Sequence, residues 1–211
     1  MYLPIFLDLK GRKVLVIGGG RIAAEKLKKL MPCEADVLVI TKEVKDEYIE
    51  ELAKLGKIKL EIREFSESDL EGVFIVISAT DNSEFNQRVY DLCSSRNIPV
   101  NSVDQKDKCS FIFSAEIRRG DLTIAVSTGG ASPGLAARIR NQIDDLISNE
   151  AEKYLDLIKQ ARENIKLRET NIEKRAEILK DIVKEINIFE NNKIEELNKI
   201  INNKINDYLN K

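Results

Sequence analysis

Residues 14–24 constrain the fold of this chain more than any other stretch, because an apolar run stops there at three consecutive glycines and a helix-like segment follows. A continuous run of Val, Ile and Leu is typical of a buried parallel strand. Gly18, Gly20 and Ala23 occupy the three small-residue positions of the pattern G-x-G-x-x-G/A. Such glycines let the backbone approach a pyrophosphate, and a helix N-terminus offers free N–H groups to an anion. The stretch therefore predicts a dinucleotide-binding turn rather than a plain structural turn.

Strand-like and helix-like segments alternate through the first half of the chain. The predicted strands span residues 13–17, 36–40, 58–62, 73–78 and 99–103, and the predicted helices span 22–30, 46–55 and 83–96. This alternation favours a parallel sheet that is covered by helices on both faces. We therefore expect the α/β class, with a Rossmann-like parallel sheet as its main element.

The composition changes at residue 134, since all ten glycines and all four prolines lie at or before Gly134. Before that point, residues 109–116 and 122–127 are predicted to be two strands, joined by a glycine-containing turn as a hairpin. Ser132 suits a helix N-cap, and Pro133 suits the first helical position. Beyond them, apolar residues recur at three- and four-residue steps, which predicts an all-helical C-terminal region of about three amphipathic helices.

The chain contains no histidine, which excludes a histidine general base, a Ser-His or Cys-His nucleophile and a histidine metal ligand. The three cysteines are widely spaced and form no CxxC pattern, so we expect reduced thiols and no metal site. The net charge is −2 and no basic stripe interleaves with aromatic residues, so nucleic acid is not indicated. The apolar runs are too short to span a membrane and no signal-peptide pattern is present, so we expect a cytoplasmic protein.

Polar or small residues follow four of the predicted strands, at the edge where open parallel sheets bind ligands. The residues expected to contact the dinucleotide are Gly18, Gly20, Arg21, Ile22, Thr41, Lys42, Glu43, Ala79, Thr80 and Asp81. After the second strand, an acidic residue would accept a hydrogen bond from the ribose of NAD, whereas a basic residue would tolerate the phosphate of NADP. Lys42 and Glu43 offer both, so the two cofactors stay open here, and we favour NAD.

Asp104 is the candidate acid or base, because it follows the last predicted strand of the sheet, at the presumed cleft. A turn or helix cap is the alternative interpretation, since Asp81 and Asp107 are similarly placed. Arg118 and Arg119 either bind a carboxylate-rich ligand or flank a turn. Because the chain has no histidine, its chemistry must rest on Asp, Glu, Lys, Tyr, Ser or Thr side chains or on a cofactor.

Residues 127–134 have the sequence STGGASPG, which resembles an anion-binding nest at a helix N-terminus. A structural turn that leads into the helix explains the same residues equally well. The two interpretations make different predictions, because only a nest needs an anionic ligand.

Together these motifs resemble the precorrin-2 dehydrogenase family, the dehydrogenase–ferrochelatase part at the N-terminus of siroheme synthases. The resemblance covers about residues 1–150. It is carried, in order, by residues 3–7 (LPIFL), 14–24, Ala79-Thr80-Asp81 followed by Asn86, Asn101-Ser102-Val103-Asp104, Phe111-Ile112-Phe113 and residues 127–133. Glu25, Ser114 and the pair Cys33-Glu34 depart from the residues usual in the family, and none of them stands where the chemistry is expected.

The resemblance implies NAD-dependent dehydrogenation of precorrin-2 to sirohydrochlorin in siroheme biosynthesis, followed in many members by insertion of ferrous iron. It implies that Asp104 is the important aspartate. It also suggests which residues bind the polycarboxylate macrocycle: Asn101, Arg118, Arg119, Thr128, Gly129, Gly130 and Ser132. Iron would be held by the macrocycle, so no metal site in the protein is expected.

The resemblance further implies a homodimer and three parts of the chain. These are an NAD-binding Rossmann domain at residues 1–108, dimerisation strands and a helix at 109–148, and a helical C-terminal domain at 149–211.

Two other kinds of protein share the same glycine turn. A non-catalytic NAD-binding redox sensor or regulatory subunit would not need the polar residues at 101–104 and 128–133. A regulatory domain of ligand-gated potassium uptake would carry an acidic residue at the end of the second strand, where Thr41 stands. An NAD-dependent enzyme is therefore the favoured interpretation, and the retention of iron insertion stays open.

Overall fold

The computed structural model describes residues 2–103 and 106–209 of the chain. The chain divides into two compact units, Met1–Phe113 and Ser114–Lys211. The first unit contains a five-stranded sheet with helices, and the second contains a hairpin and the remaining helices. The α/β class with a helical C-terminal region is confirmed.

The first unit is built around a wholly parallel sheet in the order β3-β2-β1-β4-β5. Its strands are β1 (Lys13–Ile17), β2 (Asp36–Thr41), β3 (Lys59–Ile62), β4 (Ile75–Ser78) and β5 (Val100–Ser102). The chain adds β2 and β3 on one side of β1 and then adds β4 and β5 on the other side. The strand order therefore reverses between β1 and β4. Ligands of open parallel sheets bind at such a reversal, outside the carboxyl ends of the strands.

Helices cover both faces of this sheet, as the alternating pattern predicts. The helices of the first unit are α1 (Arg21–Leu30), α2 (Glu47–Lys54) and α3 (Ser83–Ser95), with single 3-10 turns at Met31–Cys33, Glu67–Leu70 and Lys106–Lys108. Successive strand residues face opposite sides, so Val14 and Val16 pack with α1 and α2 while Leu15 and Ile17 pack on the side of α3. The strands are buried on both faces, which explains their continuous apolar sequence.

The segment after β5 is not the strand that we expected at residues 109–116. Only an isolated antiparallel bridge joins Asn101 to Cys109, and the next strand begins at Ala115. Both Phe111 and Phe113 pack against the apolar cluster beside α1, but their segment forms no ladder of strand hydrogen bonds. The apolar residues of this segment therefore cover the core as an irregular loop.

The second unit begins with a hairpin of β6 (Ala115–Arg119) and β7 (Leu122–Val126), followed by α4 (Pro133–Leu146). The turn lies against the helix that follows α4, because a side chain at Gly120 would overlap Glu152 and because Asp121 pairs with Lys159 at 2.6 Å. The hairpin and the proline at the start of α4 confirm the turn and cap chemistry predicted for this region.

Three helices complete the second unit: α5 (Ala151–Arg168), α6 (Ile172–Val183) and α7 (Ile194–Leu209). Their apolar stripes form one core around Tyr154, Ile165, Ile178 and Ile201. The Tyr154 side chain is fully buried, and its hydroxyl donates to the Glu190 carbonyl at 2.8 Å. No helix among the described residues is long and apolar enough to cross a membrane.

Candidate functional site

The glycine turn fits between the ends of two neighbouring strands. Gly18 has φ +128°, and a side chain there would overlap the carbonyl of Ala79, which follows β4. A side chain at Gly19 would overlap Glu43 and Thr41, at the end of β2. Glycine is therefore required at both positions by the close approach of backbone, independently of any ligand.

The N-terminus of α1 has the opposite character, because it is open. Gly20 is the N-cap residue, it provides no side-chain cap, and no atom lies within 4 Å of the position a side chain would take. By contrast, the side chain of Asn82 caps α3 through the N–H of Phe85. The first N–H groups of α1, including those of Arg21 and Ile22, are therefore oriented toward open space that suits a pyrophosphate.

The end of β2, where the adenosine ribose is expected, carries two exposed charges of opposite sign. The Thr41 hydroxyl is buried and donates to the Glu43 carbonyl at 2.7 Å, so it supports the loop. Lys42 Nζ pairs with Glu64 at 2.7 Å, and this ammonium lowers the pKa of the Glu64 carboxyl. Glu43 lies 3.8 Å from Lys45 and is exposed. A ribose phosphate would have to compete with Glu64 for Lys42.

At the end of β4, the predicted contact Thr80 belongs to a polar network with Ser78 and Asn86, two residues that our predicted site did not include. Ala79 and Thr80 are half-buried and Asp81 is exposed. Behind them, Asn86 of α3 is 3% exposed and accepts hydrogen bonds from Ser78 and Thr80. The available signal was a polar residue on the face of α3 that otherwise buries Val89 and Cys93.

The end of β5 leads to Asp104, the candidate acid or base, which lies outside the described residues. Asn101 is buried, and its amide donates to the Phe111 carbonyl at 2.9 Å and approaches Cys109 Sγ at 3.5 Å. Burial raises the pKa of the Cys109 thiol, which donates to the Ser102 carbonyl at 3.2 Å. In this arrangement Asn101 holds the segment that follows Asp104.

The two arginines of the hairpin have different surroundings. Arg119 forms an ion pair of 2.7 Å with Asp144 of α4, and both side chains are about one-third exposed. Arg118 lies 3.4 Å from Glu116 on its own strand. Arg119 therefore fastens the hairpin to α4, whereas the guanidinium of Arg118 stays on the exposed side of the sheet.

The loop at 127–134 uses its side chains to stabilise itself. The Thr128 hydroxyl donates to the Ser132 carbonyl at 2.9 Å and accepts from the Ser132 N–H at 3.0 Å. Gly129 and Gly130 both have positive φ, at +61° and +81°. Ser132 caps α4 by accepting from the Leu135 N–H at 3.2 Å. The geometry thus has the turn and the cap of the structural interpretation, and two successive positive φ values do not by themselves distinguish an anion nest from a turn.

The candidate site residues fall on both units. All residues predicted to contact the dinucleotide lie at the carboxyl edge of the sheet in the first unit, together with Asn101. The remaining candidates for macrocycle binding belong to the second unit. Within residues 2–103 and 106–209, no group of three His, Cys, Asp or Glu side chains could hold a metal ion.

The strand order, the open helix N-terminus and the glycine cradle define a dinucleotide-binding protein of the Rossmann class. A family model described as putative NAD(P)-binding matches residues 5–115, and one described as sirohaem biosynthesis protein central matches residues 119–146. The chain belongs to the precorrin-2 dehydrogenase and siroheme synthase N-terminal family. A nicotinamide dinucleotide is accordingly its cofactor.

Relatives with known names agree with this assignment. The siroheme synthase of Nitrosococcus oceani is 37% identical over a match that covers 82% of this chain and 37% of that protein. The siroheme synthase of Methylococcus capsulatus is 41% identical over a match that covers 78% of this chain and 35% of that protein. The chain thus spans about a third of the length of these curated relatives. The solved structure of SirC, a precorrin-2 dehydrogenase, has a TM-score of 0.77 at 28% identity and covers 96% of this chain and 100% of that one.

Proposed function

We propose that this chain is a precorrin-2 dehydrogenase, which oxidises precorrin-2 to sirohydrochlorin with a nicotinamide dinucleotide in siroheme biosynthesis. The observation that carries the proposal is the similarity to SirC over nearly the whole of both chains. The cradle at Gly18–Gly20 supports it, because it suits the pyrophosphate of the dinucleotide. The alternative, a non-catalytic redox sensor, would need only that cradle.

The reaction removes a hydride and a proton from the macrocycle, and the bound dinucleotide takes the hydride. In this proposal the chain has three tasks. The N-terminus of α1 holds the dinucleotide, basic and nest-forming residues of the second unit bind the carboxylates of the substrate, and Asp104 accepts the proton. A carboxylate serves for this step, so the absence of histidine is no obstacle.

A spectroscopic assay tests the proposal directly. Mixing the full chain anaerobically with precorrin-2 and NAD should give the absorption of sirohydrochlorin together with that of NADH. Asp104→Ala should lower turnover at least about 100-fold and leave NAD affinity within about threefold, which is the range for loss of an acid–base group. Asp107→Ala, in the same segment and exposed, is the matched control. Tight NAD binding with no spectral change would favour the redox sensor.

We propose NAD rather than NADP as the cofactor. Glu43 is exposed beside the position of the ribose, where it can accept a hydroxyl hydrogen bond and repel a phosphate. Glu64 neutralises Lys42, the nearby cation. Glu64→Gln should therefore lower the dissociation constant for NADP and leave that for NAD unchanged. Glu34→Gln, which breaks the comparable exposed pair with Lys10, is the control. A wild-type preference for NADP would contradict the proposal.

We also propose that two copies of the chain associate through α4. Leu135 and Leu146 on this helix are 49% and 62% exposed, an unusual exposure for large apolar residues of an amphipathic helix. Light scattering of Leu135→Lys/Leu146→Lys should show a monomer where the unmodified chain shows a dimer.

A cytoplasmic location, predicted from the sequence, is tested by cell fractionation.

Iron insertion is the second activity that the family resemblance implies. Ferrous iron added to the completed dehydrogenase reaction should then give the spectrum of siroheme faster than it does without protein. An equal rate with and without the chain would limit the function to dehydrogenation.

A further inference from the structure

The side chain of Asn86 fastens the turn between β4 and α3 at both of its ends. Its Oδ1 atom accepts hydrogen bonds from Ser78 Oγ, at the end of β4, and from Thr80 Oγ1, in the turn, each at 2.7 Å. Its Nδ2 atom donates to the Thr80 carbonyl at 3.0 Å. Asn86 is 3% exposed, so water does not compete for these bonds.

The orientation of the Asn86 amide follows from its partners. The Thr80 carbonyl can only accept, so the amide nitrogen must face it, and the amide oxygen must then face the two hydroxyls. An amide oxygen cannot donate, so Ser78 and Thr80 each supply a proton to it. Both hydroxyl protons are thereby used inside the network.

Thr80 Oγ1 is consequently held as a hydrogen-bond acceptor. A hydroxyl oxygen has two lone pairs, and the Asn82 N–H approaches one of them at the long distance of 3.4 Å. The other lone pair is available to a donor on a ligand. The Thr80 residue is only half-buried, so a ligand at the carboxyl edge of the sheet can reach it.

Thr80 lies on the side of the sheet where the nicotinamide half of the dinucleotide is expected. The pyrophosphate site lies at Gly18–Gly20 after β1, and the adenosine ribose is expected at the end of β2. Because the dinucleotide crosses the sheet where the strand order reverses, its nicotinamide half must extend over β4 and β5. Thr80 lies two residues after β4, in the turn that leads to α3, and its Oγ1 is the acceptor that this turn offers to that half.

We propose that Thr80 Oγ1 recognises the carboxamide N–H of the nicotinamide, and that Asn86 is the positioning residue that holds Thr80 as an acceptor. The inference rests on the dinucleotide site of the proposed function. It assigns to Asn86 a role in selecting the carboxamide, besides its role in stabilising the turn. A carboxylate in place of the carboxamide would meet an acceptor with no proton to share, so it would be disfavoured.

Calorimetric titration of the full chain with three ligands tests this, a method chosen because the chain has no tryptophan. The ligands are NAD, nicotinic acid adenine dinucleotide, which carries a carboxylate in place of the carboxamide, and ADP-ribose, which lacks the ring. The unmodified chain should bind NAD at least about tenfold more tightly than the nicotinate analogue, as expected for one well-placed hydrogen bond. Thr80→Val should abolish that preference and leave ADP-ribose affinity within about twofold, whereas Thr80→Ser should keep it.

Two further variants separate positioning from stability. Asn86→Ala should also reduce the preference for the carboxamide, because Thr80 can then rotate its proton toward the ligand. Ser78→Ala removes the other hydroxyl of the network without changing the acceptor, so it should keep the preference even if the protein becomes less stable. If Asn86→Ala does not fold, the comparison of Thr80→Val with Thr80→Ser tests the proposal by itself.

The possible failures have distinct signatures. Thr80→Val could weaken the binding of NAD, of the nicotinate analogue and of ADP-ribose by the same factor. Thr80 would then only support the turn, so this inference would be wrong while the dinucleotide site would stand. If the unmodified chain binds neither NAD nor ADP-ribose, the dinucleotide site of the proposed function fails, and the inference fails with it.

Discussion

Gly18 and Ala79 are in backbone contact at the carboxyl ends of β1 and β4, so close that any side chain at residue 18 would overlap the Ala79 carbonyl oxygen. The contact brings the glycine turn against the turn that follows β4. The two turns are separated by about sixty residues of sequence, yet they define one edge of one site. A substitution at Gly18 should therefore lower the stability of the fold whether or not a ligand is bound.

Gly18→Ala should destabilise the protein by about 2 kcal/mol or more, because it combines a strained φ of +128° with overlap against backbone that cannot move aside. Urea unfolding followed by circular dichroism measures the change. Gly20→Ala is the matched control, since Gly20 has φ −99° and open space around it. It should leave stability within about 1 kcal/mol and weaken dinucleotide binding. Equal destabilisation by both would contradict the contact.

The strands and helices could be predicted from the sequence because each depends on residues that are close together along the chain. The apolar run of β1 and the N-cap at Ser132 are local signals, and the structure has both at the predicted residues. The helical periodicity of the tail is another local signal, and the tail is helical as predicted. The segment 109–113 could not be predicted in this way. Its residues have the composition of a strand, but Asn101 and the core beside α1 hold it as a loop.

The candidate site shows the same division. The glycine turn has a local pattern, so the cofactor edge could be located from the sequence. The partners of Asn86 and Arg119 lie on other elements, and a side chain that is free in an extended chain gives no sign of which partner it will meet. Arg119 and Arg118 are adjacent in sequence, yet only the structure shows that Arg119 pairs with Asp144 of another element, whereas Arg118 pairs with Glu116 on its own strand.

The ion pair between Arg119 and Asp144 should contribute to stability by joining β6 to α4. Arg119→Ala and Asp144→Ala should be non-additive, with a coupling energy of about 1 kcal/mol, since the pair is only partly exposed to water. A double-mutant cycle of urea unfolding gives this value. Arg118→Ala removes only the weaker pair with Glu116 on the same strand, so it should lower stability by less than Arg119→Ala does. Additivity of the Arg119 and Asp144 variants would exclude a structural role for their pair.

Ser78 and Ser102 are neighbours on β4 and β5, and they differ in one respect. Both are buried, but Ser78 Oγ donates to Asn86, whereas Ser102 Oγ has no hydrogen-bond partner in the described part of the chain. Removing the Ser78 hydroxyl loses one of the two hydrogen bonds that Asn86 Oδ1 accepts, while removing an unbonded buried hydroxyl relieves a desolvation cost. Ser78→Ala should cost about 1–2 kcal/mol, and Ser102→Ala should be neutral or slightly stabilising in the same unfolding assay. Similar losses at both sites would show that Ser102 has a partner.

Stability should fall at alkaline pH because of the buried thiol of Cys93. Burial raises its pKa from 9.0 to about 11 in the folded chain. Between these two values the unfolded chain has lost the proton while the folded chain still holds it, so unfolding releases protons and becomes more favourable as pH rises. The stabilisation is complete below pH 9 and is lost progressively toward pH 11, by about 3 kcal/mol in all.

Urea unfolding of the unmodified chain and of Cys93→Ala, measured from pH 7 to pH 11, isolates this contribution. The variant should start less stable, because it loses buried atoms beside Val89 and Val100. Its stability should then fall less steeply above pH 9, since lysine and tyrosine titration are common to both chains and only the thiol differs. Two curves that stay parallel up to pH 11 would mean that Cys93 titrates alike in the folded and unfolded states.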